Sequence, residues 1–260
     1  MELSLTGRRA VITGGSKGIG LAVARELVDE GVAVALCARN ADEVKAAEAE
    51  LTARGGQVYA ATADVTRPDE VIAFIDASAR ALGGLDILVN NAGAAHPGTF
   101  ETLTDEDWQG DLDVKLFSQI RCSRAALPHL RQSQAGRIIN INAIYARYPD
   151  PTFFATTVNR AACLNFNKAL AIQLGPDNIL VNSVNIGFVV TPQWERIRQR
   201  RAPELSEEEF LASMAGAEVP LGRFGSVEEV SGLVAFLASD RASYLTGTSI
   251  DVAGGMGRYV

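Results

Sequence analysis

The sequence predicts an α/β fold, a doubly wound parallel sheet with helices on both faces. Apolar runs of strand length alternate with helical patterns along the 260 residues, and parallel strands need such crossovers between them. Residues 32–37 are apolar throughout, as expected for a strand that is covered on both sides. A glycine-rich turn at residues 13–20 separates the first apolar run from the first helical pattern.

Apolar spacing and terminating residues define the elements in order. Ile19, Val23 and Leu27 lie on one face of the helix that begins in the glycine turn. Pro68 suits the first turn of a later helix, and Gly83 follows its end. The predicted strands are residues 10–12, 32–37, 58–61, 87–89, 137–141, 179–184 and 249–252. The predicted helices after the first are residues 42–53, 68–82, about 105–130, 156–174 and 227–237.

The glycine turn predicts a dinucleotide-binding site of the Rossmann-like type. Gly14 can adopt a positive φ, Gly18 lets the backbone approach a pyrophosphate, and Gly20 permits close contact between helix and strand. The N–H groups of the first helical turn then face an anion. Ligands of such sheets bind beyond the carboxyl ends of the strands, so we expect the cleft there.

One dinucleotide-binding domain is predicted for residues 1–260, because no linker, repeat or low-complexity segment divides them. Hydrophobic residues make up 47% of the chain, which is enough for a large core. A polar, partly helical segment at about 193–223 interrupts the alternation of strands and helices. We expect this segment to be a mobile lid over a substrate site.

Composition limits the partners and the location. The net charge is −7 and the basic residues are scattered, which argues against a nucleic-acid or membrane partner. Cys37, Cys122 and Cys163 lie far apart in apolar stretches and are interpreted as buried thiols. No Cys/His cluster has metal-site spacing, so no metal is expected. No signal segment or membrane-spanning run is recognised, and a cytoplasmic location is expected.

Further segments extend the pattern of the glycine turn over essentially the whole chain. They are Asp64-Val65, Asn90-Asn91-Ala92-Gly93, Ile179-Leu180-Val181-Asn182-Ser183-Val184 with Gly187 and Thr191, and Leu245-Thr246-Gly247 through Gly254-Gly255. In this order they resemble the short-chain dehydrogenase/reductase superfamily of the classical type. The resemblance implies cofactor-binding roles for Gly14, Ser16, Gly18, Ile19, Gly20, Asp64, Val65, Asn90, Gly93 and Thr191. It also implies a homotetramer or homodimer built from the long helices and the last strand.

Charge at the end of the second strand favours NADP(H) over NAD(H). An NAD site usually places a carboxylate there for the ribose hydroxyls, whereas a 2′-phosphate needs cations. Arg39 follows this strand without an acid beside it, and Lys17 in the glycine turn faces the same place. Two cations and no carboxylate therefore predict a site for the phosphorylated cofactor.

The catalytic positions depart from the family pattern. The family uses an Asn, a Ser and a Tyr-x-x-x-Lys pair, in which the lysine lowers the pKa of the phenol. No tyrosine of this chain has a lysine four residues later. Aligning Arg160 and the two alanines after it with the family's Lys-Ala-Ala puts Thr156 at the tyrosine position and Arg160 at the lysine position. Ala143 then stands at the serine position and Lys115 at the asparagine position, so the usual proton relay is not expected.

Three side chains are candidates to replace the missing acid. Lys115 lies on the sheet-facing side of its helix, and a desolvated lysine close to an arginine could transfer a proton. Tyr145 and Tyr148 follow the fifth strand and could reach the cleft. Arg160 is expected to contact the nicotinamide ribose. The alternative interpretations are a packed Lys115 stem with its ammonium in water, and packing or lid contacts for the tyrosines.

Three functions are left open. We favour an NAD(P)-dependent oxidoreductase that acts on a carbonyl or alcohol through a rebuilt site. The first alternative is a catalytically silent cofactor-binding subunit that pairs with an active homologue. The second is a non-redox enzyme in which Lys115, Arg160, Asn142 or Asn159 stabilises an anion. Aromatic residues around the expected pocket, Phe153, Phe154 and Trp194, predict a small and partly apolar substrate.

Overall fold

A computed structural model describes residues 2–257, and seven parallel strands form one sheet within them. The strands are β1 (Arg9–Thr13), β2 (Ala33–Ala38), β3 (Val58–Thr62), β4 (Ile87–Asn90), β5 (Arg137–Ala143), β6 (Leu180–Ile186) and β7 (Ser249–Val252). Their spatial order is β3-β2-β1-β4-β5-β6-β7, and every neighbouring pair is parallel. The predicted fold class is confirmed.

Helices cover both faces of the sheet. They are α1 (Gly18–Asp29), α2 (Ala41–Ala53), α3 (Pro68–Leu82), α4 (Asp105–Leu112), α5 (Ser118–Leu130), α6 (Phe154–Leu174), α7 (Pro192–Arg201), α8 (Glu207–Glu218) and α9 (Val227–Ala238). No helix within residues 2–257 has the length and apolar character needed to cross a membrane.

The central strands alternate their side chains between two apolar cores, as a doubly covered sheet requires. Ala10 and Ile12 of β1 pack with residues of α1, α2 and α9 on one face. Val11 packs with residues of α3, α5 and α6 on the other face. Cys37, Cys122 and Cys163 are buried and free, as predicted from their apolar surroundings.

The long helix predicted at about 105–130 is interrupted, and this interruption bears on the site. A π-helical segment, Asp113–Phe117, joins α4 to α5, and the N–H of Ser118 donates to the carbonyl of Asp113 five residues earlier. A π turn holds one more residue than an α turn, and such turns are frequent at functional sites. Apolar spacing cannot distinguish one such turn from continuous helix.

The polar segment predicted at about 193–223 contains two helices, α7 and α8, that pack on a small apolar core of their own. Phe188, Phe210, Val219, Phe224 and Met256 are buried in this core. Trp194 of α7 contacts it edge-on, with its ring centroid 5.0 Å from that of Phe188 and 4.9 Å from that of Phe224. Through this apolar core the segment contacts Phe188 and Met256, which follow β6 and β7.

Candidate active site

A cleft of about 620 Å³ opens at the carboxyl ends of the strands. The parallel sheet brings the residues that follow β1 to β6 to the same edge, so residues distant in sequence share this cleft. The predicted cofactor residues that line it are Gly14, Ser16, Lys17, Gly18, Ile19, Gly20, Arg39, Asp64, Val65, Gly93, Arg160 and Thr191. Most of the predicted cofactor set is therefore assembled at one place.

Asn90 differs from the rest of the predicted cofactor set, because its side chain lies below the cleft. The Asn90 amide is buried and donates to the Ser123 hydroxyl at 3.2 Å and to the Asn140 side-chain oxygen at 2.8 Å. These bonds cross from β4 to α5 and β5. In this structure the Asn90 side chain supports the cleft floor and does not line it.

The glycine turn has the backbone that the sequence predicts. Gly14 and Gly18 have φ values of +65° and +55°, a region that glycine adopts without steric cost. A Cβ atom at Gly20 would clash with the carbonyl oxygen of Gly14. The Asn91 amide fixes the turn by donating to the carbonyls of Thr13 at 3.0 Å and of Gly14 at 2.9 Å. This is a backbone cradle that side chains would fill, and its shape fits a dinucleotide phosphate.

Glu43 places a carboxylate at the end of the cleft where Lys17 and Arg39 lie. The expectation of two cations without a carboxylate is therefore wrong. Glu43, from α2, lines the cleft and pairs with Lys17 at 2.5 Å between Oε1 and Nζ. The Lys17 hydrogen bond holds the pKa of Glu43 below its ordinary value. Arg39 is exposed and has no ion-pair partner among residues 2–257. Glu43 lies beyond the strand end, in the first turn of the next helix, so the residues at the end of the strand do not reveal this carboxylate.

A buried charged cluster forms the other end of the cleft. Lys115, in the π-helical segment, is 1% exposed, and its ammonium pairs with the carboxylate of Asp111, which is 2% exposed. Lys115 Nζ also donates to Thr156 Oγ1 at 3.0 Å. Asn159 Nδ2 donates to the second oxygen of Asp111 at 2.9 Å. Lys115 and Thr156 line the cleft, so the cluster opens onto it through these two residues.

The environment of Lys115 shifts its proton affinity in opposing directions. Burial, and after it the positive charge of Arg160, lowers the pKa of Lys115 to about 6. The carboxylate of Asp111 favours the charged ammonium and acts against this lowering. A lysine whose pKa lies between about 6 and the ordinary 10.5 can give or take a proton near neutral pH. The alternative of an ammonium in water is contradicted by the burial of this side chain.

Arg160 lies against the cleft between β5 and the loop after β4. Its Nη1 donates to the carbonyl of Ile141 at 3.0 Å, and its own carbonyl accepts from the Asn142 amide at 3.1 Å. The buried Nε of Arg160 and Oδ1 of Asn142 have no hydrogen-bond partner among the described residues. Unpaired buried polar atoms at a cleft wall fit a polar ligand group that would satisfy them.

The two candidate tyrosines are placed differently. Tyr145 lines the cleft and stacks on Phe153, with ring centroids 5.5 Å apart. Burial, and after it the charge of Asp150, raises the pKa of Tyr145 to about 12, which makes its phenol a poor acid at neutral pH. Tyr148 is half-buried and does not line the cleft. Ala143 lines the cleft without a hydroxyl group to offer.

Asp111 is the residue of this cluster that sequence reasoning missed. Among the acids of α4 it resembles an ordinary solvated helix residue, and Asp105, Glu106 and Asp107 precede it. The available signal was its spacing four residues before Lys115, which puts the two side chains on one helix face.

Comparison with known proteins finds reductases over the whole length of the chain. Residues 14–257 match the family model described as enoyl-(acyl carrier protein) reductase. The chain is 37% identical over 257 residues to the monensin polyketide synthase putative ketoacyl reductase of Streptomyces virginiae, with 98% of both chains covered. It is 32% identical to the 3-oxoacyl-(acyl-carrier-protein) reductase FabG of Staphylococcus aureus, with 96% of this chain and 98% of the relative covered.

Two solved structures resemble this chain in both fold and sequence. A short-chain oxidoreductase of Pseudomonas aeruginosa, which contains an atypical catalytic center and was solved with NADPH bound, is 38% identical. Its TM-score is 0.92, with 98% of this chain and 99% of that chain covered. The L-sorbose reductase of Gluconobacter frateurii, complexed with NADPH and L-sorbose, is 35% identical, with a TM-score of 0.97 and both chains fully covered.

Proposed function

We propose that this chain, a member of the short-chain dehydrogenase/reductase superfamily, is an oxidoreductase that uses NADPH to reduce a carbonyl group. Lys115 is the proposed source of the proton that the reduction requires. The observation that carries the proposal is the buried ammonium of Lys115, 3.0 Å from a threonine hydroxyl that lines the cleft. Thr156 stands where the family resemblance places the tyrosine acid.

The cofactor assignment is supported by the glycine cradle and by the two cations at the far end of the cleft. Arg39 and Lys17 would hold the 2′-phosphate, and the cradle would hold the pyrophosphate. Arg160, with its unpaired Nε, would contact the nicotinamide ribose. The Pseudomonas aeruginosa and Gluconobacter frateurii relatives were both solved with NADPH, which supports the same cofactor here.

Lys115 and Thr156 would complete the reduction. When NADPH is bound, its nicotinamide supplies a hydride to the carbonyl carbon. The Thr156 hydroxyl donates its proton to the carbonyl oxygen and takes one from the Lys115 ammonium, which leaves an alcohol and a neutral amine. Threonine alone is too weak an acid for this step, so it relays the lysine proton. Asp111, held by Asn159, keeps the ammonium in place.

We also propose that residues 193–223 act as a lid on this domain. α7 lies over the substrate end of the cleft through Trp194, and no residue of α7 is fully buried. A helix without a fully buried side chain can open at lower cost than the sheet core.

The test is the consumption of NADPH, followed by its absorbance, with a panel of ketones, aldehydes and quinones. Lys115→Met removes the proton source, and we expect kcat to fall by about 100- to 10,000-fold while the Kd for NADPH stays unchanged. Lys45→Met, which changes an exposed lysine of α2 outside the cleft, is the matched control.

Two outcomes would count against the proposal. Full turnover by Lys115→Met would exclude this lysine as the proton source. Tight NADPH binding by the wild-type protein without reduction of any carbonyl would favour the silent subunit instead.

A further inference from the structure

A second cavity, of about 360 Å³, adjoins the cleft beneath α7. Two aromatic pairs line it. Tyr145 stacks on Phe153 at 5.5 Å with an interplanar angle of 16°, and Phe188 meets Trp194 edge-on at 5.0 Å. All four side chains also line the cleft, so the cavity opens into it. This aromatic lining suits a flat, partly apolar body.

Three arginines of α7 line the same cavity. Arg196, Arg200 and Arg201 are exposed, and none lies within 4.0 Å of a carboxylate among residues 2–257. Arg198, on the same helix, does have an ion-pair partner. It donates to the Glu195 carboxylate at 2.7 and 2.8 Å and to the Leu205 carbonyl at 2.6 Å. One arginine therefore holds the helix, while three arginines at the cavity lack an ion-pair partner.

Three arginines and two carboxylates, Asp150 and Glu218, line the cavity, so its lining carries one net positive charge. Asp150 is engaged locally, since its Oδ1 accepts from the Thr152 N–H at 2.8 Å and from the Thr152 hydroxyl at 2.7 Å. Glu218 is exposed at the end of α8. Arg196 also borders the cleft and acts electrostatically on Glu43 at its cofactor end. Arg196 lines both cavities, whereas Arg200 and Arg201 line only the second, so these two are the cations that a substrate there does not share with the cofactor end of the cleft.

We infer that the substrate is a carbonyl compound with a flat, partly apolar body and a carboxylate, which Arg200 and Arg201 bind at the mouth of the second cavity. The inference rests on the reductase function proposed above and names its substrate class. The planar guanidinium fork matches a carboxylate through paired hydrogen bonds, whereas a neutral amide of the same shape cannot use the charge.

The test compares two probes that differ in charge and little in shape, para-formylbenzoate and para-formylbenzamide. Their binding to the protein loaded with NADP⁺ is measured by calorimetry, and their reduction by NADPH consumption. We expect the carboxylate to bind at least about 10-fold more tightly than the amide. The double variant Arg200→Gln with Arg201→Gln should abolish that difference. Arg80→Gln, which removes an exposed arginine of α3 away from both cavities, should retain it.

Glu218→Gln should change the affinity for para-formylbenzoate in the direction opposite to the double arginine variant. Removing this carboxylate from the cavity should tighten binding of para-formylbenzoate by about 3-fold and leave the amide unchanged. Equal affinity of the two probes for the wild-type protein would overturn the inference. A preference for the carboxylate that survives the double variant would also overturn it.

The two proposals fail in distinguishable ways. Reduction of both probes with equal KM would leave the reductase function standing and remove the carboxylate site. Arginine-dependent binding of the carboxylate without any NADPH consumption would leave the carboxylate site standing and remove the reductase function.

Discussion

At the scale of single residues, the site joins a threonine hydroxyl to a buried pair of lysine and aspartate. A buried ion pair is costly to form, because both charges lose water. Lys115 and Asp111 are nonetheless almost fully buried, and the polar side chains of Thr156 and Asn159 form hydrogen bonds with them. Titratable groups that are buried at a cleft wall are typical of functional sites, which supports the proposed proton transfer.

Glu43 is expected to weaken NADPH binding, because it neutralises Lys17 and would repel a 2′-phosphate. Glu43→Gln should tighten NADPH binding by about 3- to 5-fold, since an exposed ion pair is worth at most about 1 kcal/mol. NADH, which lacks the phosphate, should bind the variant as it binds the wild type. Fluorescence titration of both cofactors measures this.

Glu48→Gln is the matched control for that change, because Glu48 lies on the same helix outside the cleft. The same gain for NADH and NADPH, or weaker NADPH binding, would show that Glu43 does not face the phosphate.

At the scale of elements, the π-helical segment explains why one long predicted helix becomes two. The spacing of apolar residues does not determine which carbonyl a backbone N–H selects, so the sequence pattern does not distinguish this π turn from a continuous α-helix. The seven strands are easier to predict, because apolar runs between turn residues determine them, and each is found within about two residues of its predicted ends.

The lid proposal predicts protection of α7 from proteolysis. Trypsin should cut near Arg200 and Arg201 in the free protein, because these arginines are exposed at the end of the helix. NADP⁺ together with a bound carbonyl compound, which cannot react with each other, should slow this cleavage by at least about 5-fold, since the closed lid opens less often. Mass spectrometry identifies the cut sites.

Cleavage after Arg131, an exposed residue outside the cleft, reports any general stabilisation by ligand. Equal protection at both sites would contradict a local lid movement.

At the scale of the whole molecule, one ion pair joins the amino-terminal ends of the central strands. The Asp86 carboxylate accepts from the Arg9 Nε and Nη2 at 2.8 Å and from the Arg9 backbone N–H at 2.9 Å, and Ser133 also donates to it. Burial raises the pKa of Asp86, but the bonds from Arg9 and Ser133 outweigh it, so the net shift is downward.

Asp86→Asn should therefore lower the free energy of unfolding by about 2 kcal/mol at neutral pH, measured in urea. Because the folded pKa lies below the unfolded one, this contribution is complete above about pH 4 and is lost as the pH falls through the folded value. Asp177→Asn, which breaks an exposed pair with Arg131, should cost less than about 0.5 kcal/mol. A loss that does not shrink in acid would contradict the assigned charge.

The fold and the residues that line the cleft can be predicted from local sequence, whereas the proposed catalytic cluster depends on tertiary contacts. Glycine spacing and strand ends are short-range signals, and they identify the cleft. The partners of Lys115 come from two different helices, so only the packing of α4 against α6 brings Asp111 to Thr156. The pairing of Glu43 with Lys17 also depends on tertiary contacts, because the two residues lie at the starts of two different helices.

The pH dependence of kcat for carbonyl reduction, compared between the wild-type protein and Asp111→Asn, tests the proton source most directly. If the Lys115 ammonium supplies the proton, the wild-type rate falls as the pH rises through a value between about 6 and 10.5. Removing the Asp111 carboxylate lowers the pKa of Lys115. The pH at which the rate falls should therefore be lower in the variant by at least about 1 unit. An unmoved profile, in a variant that still folds and binds NADPH, would contradict the account.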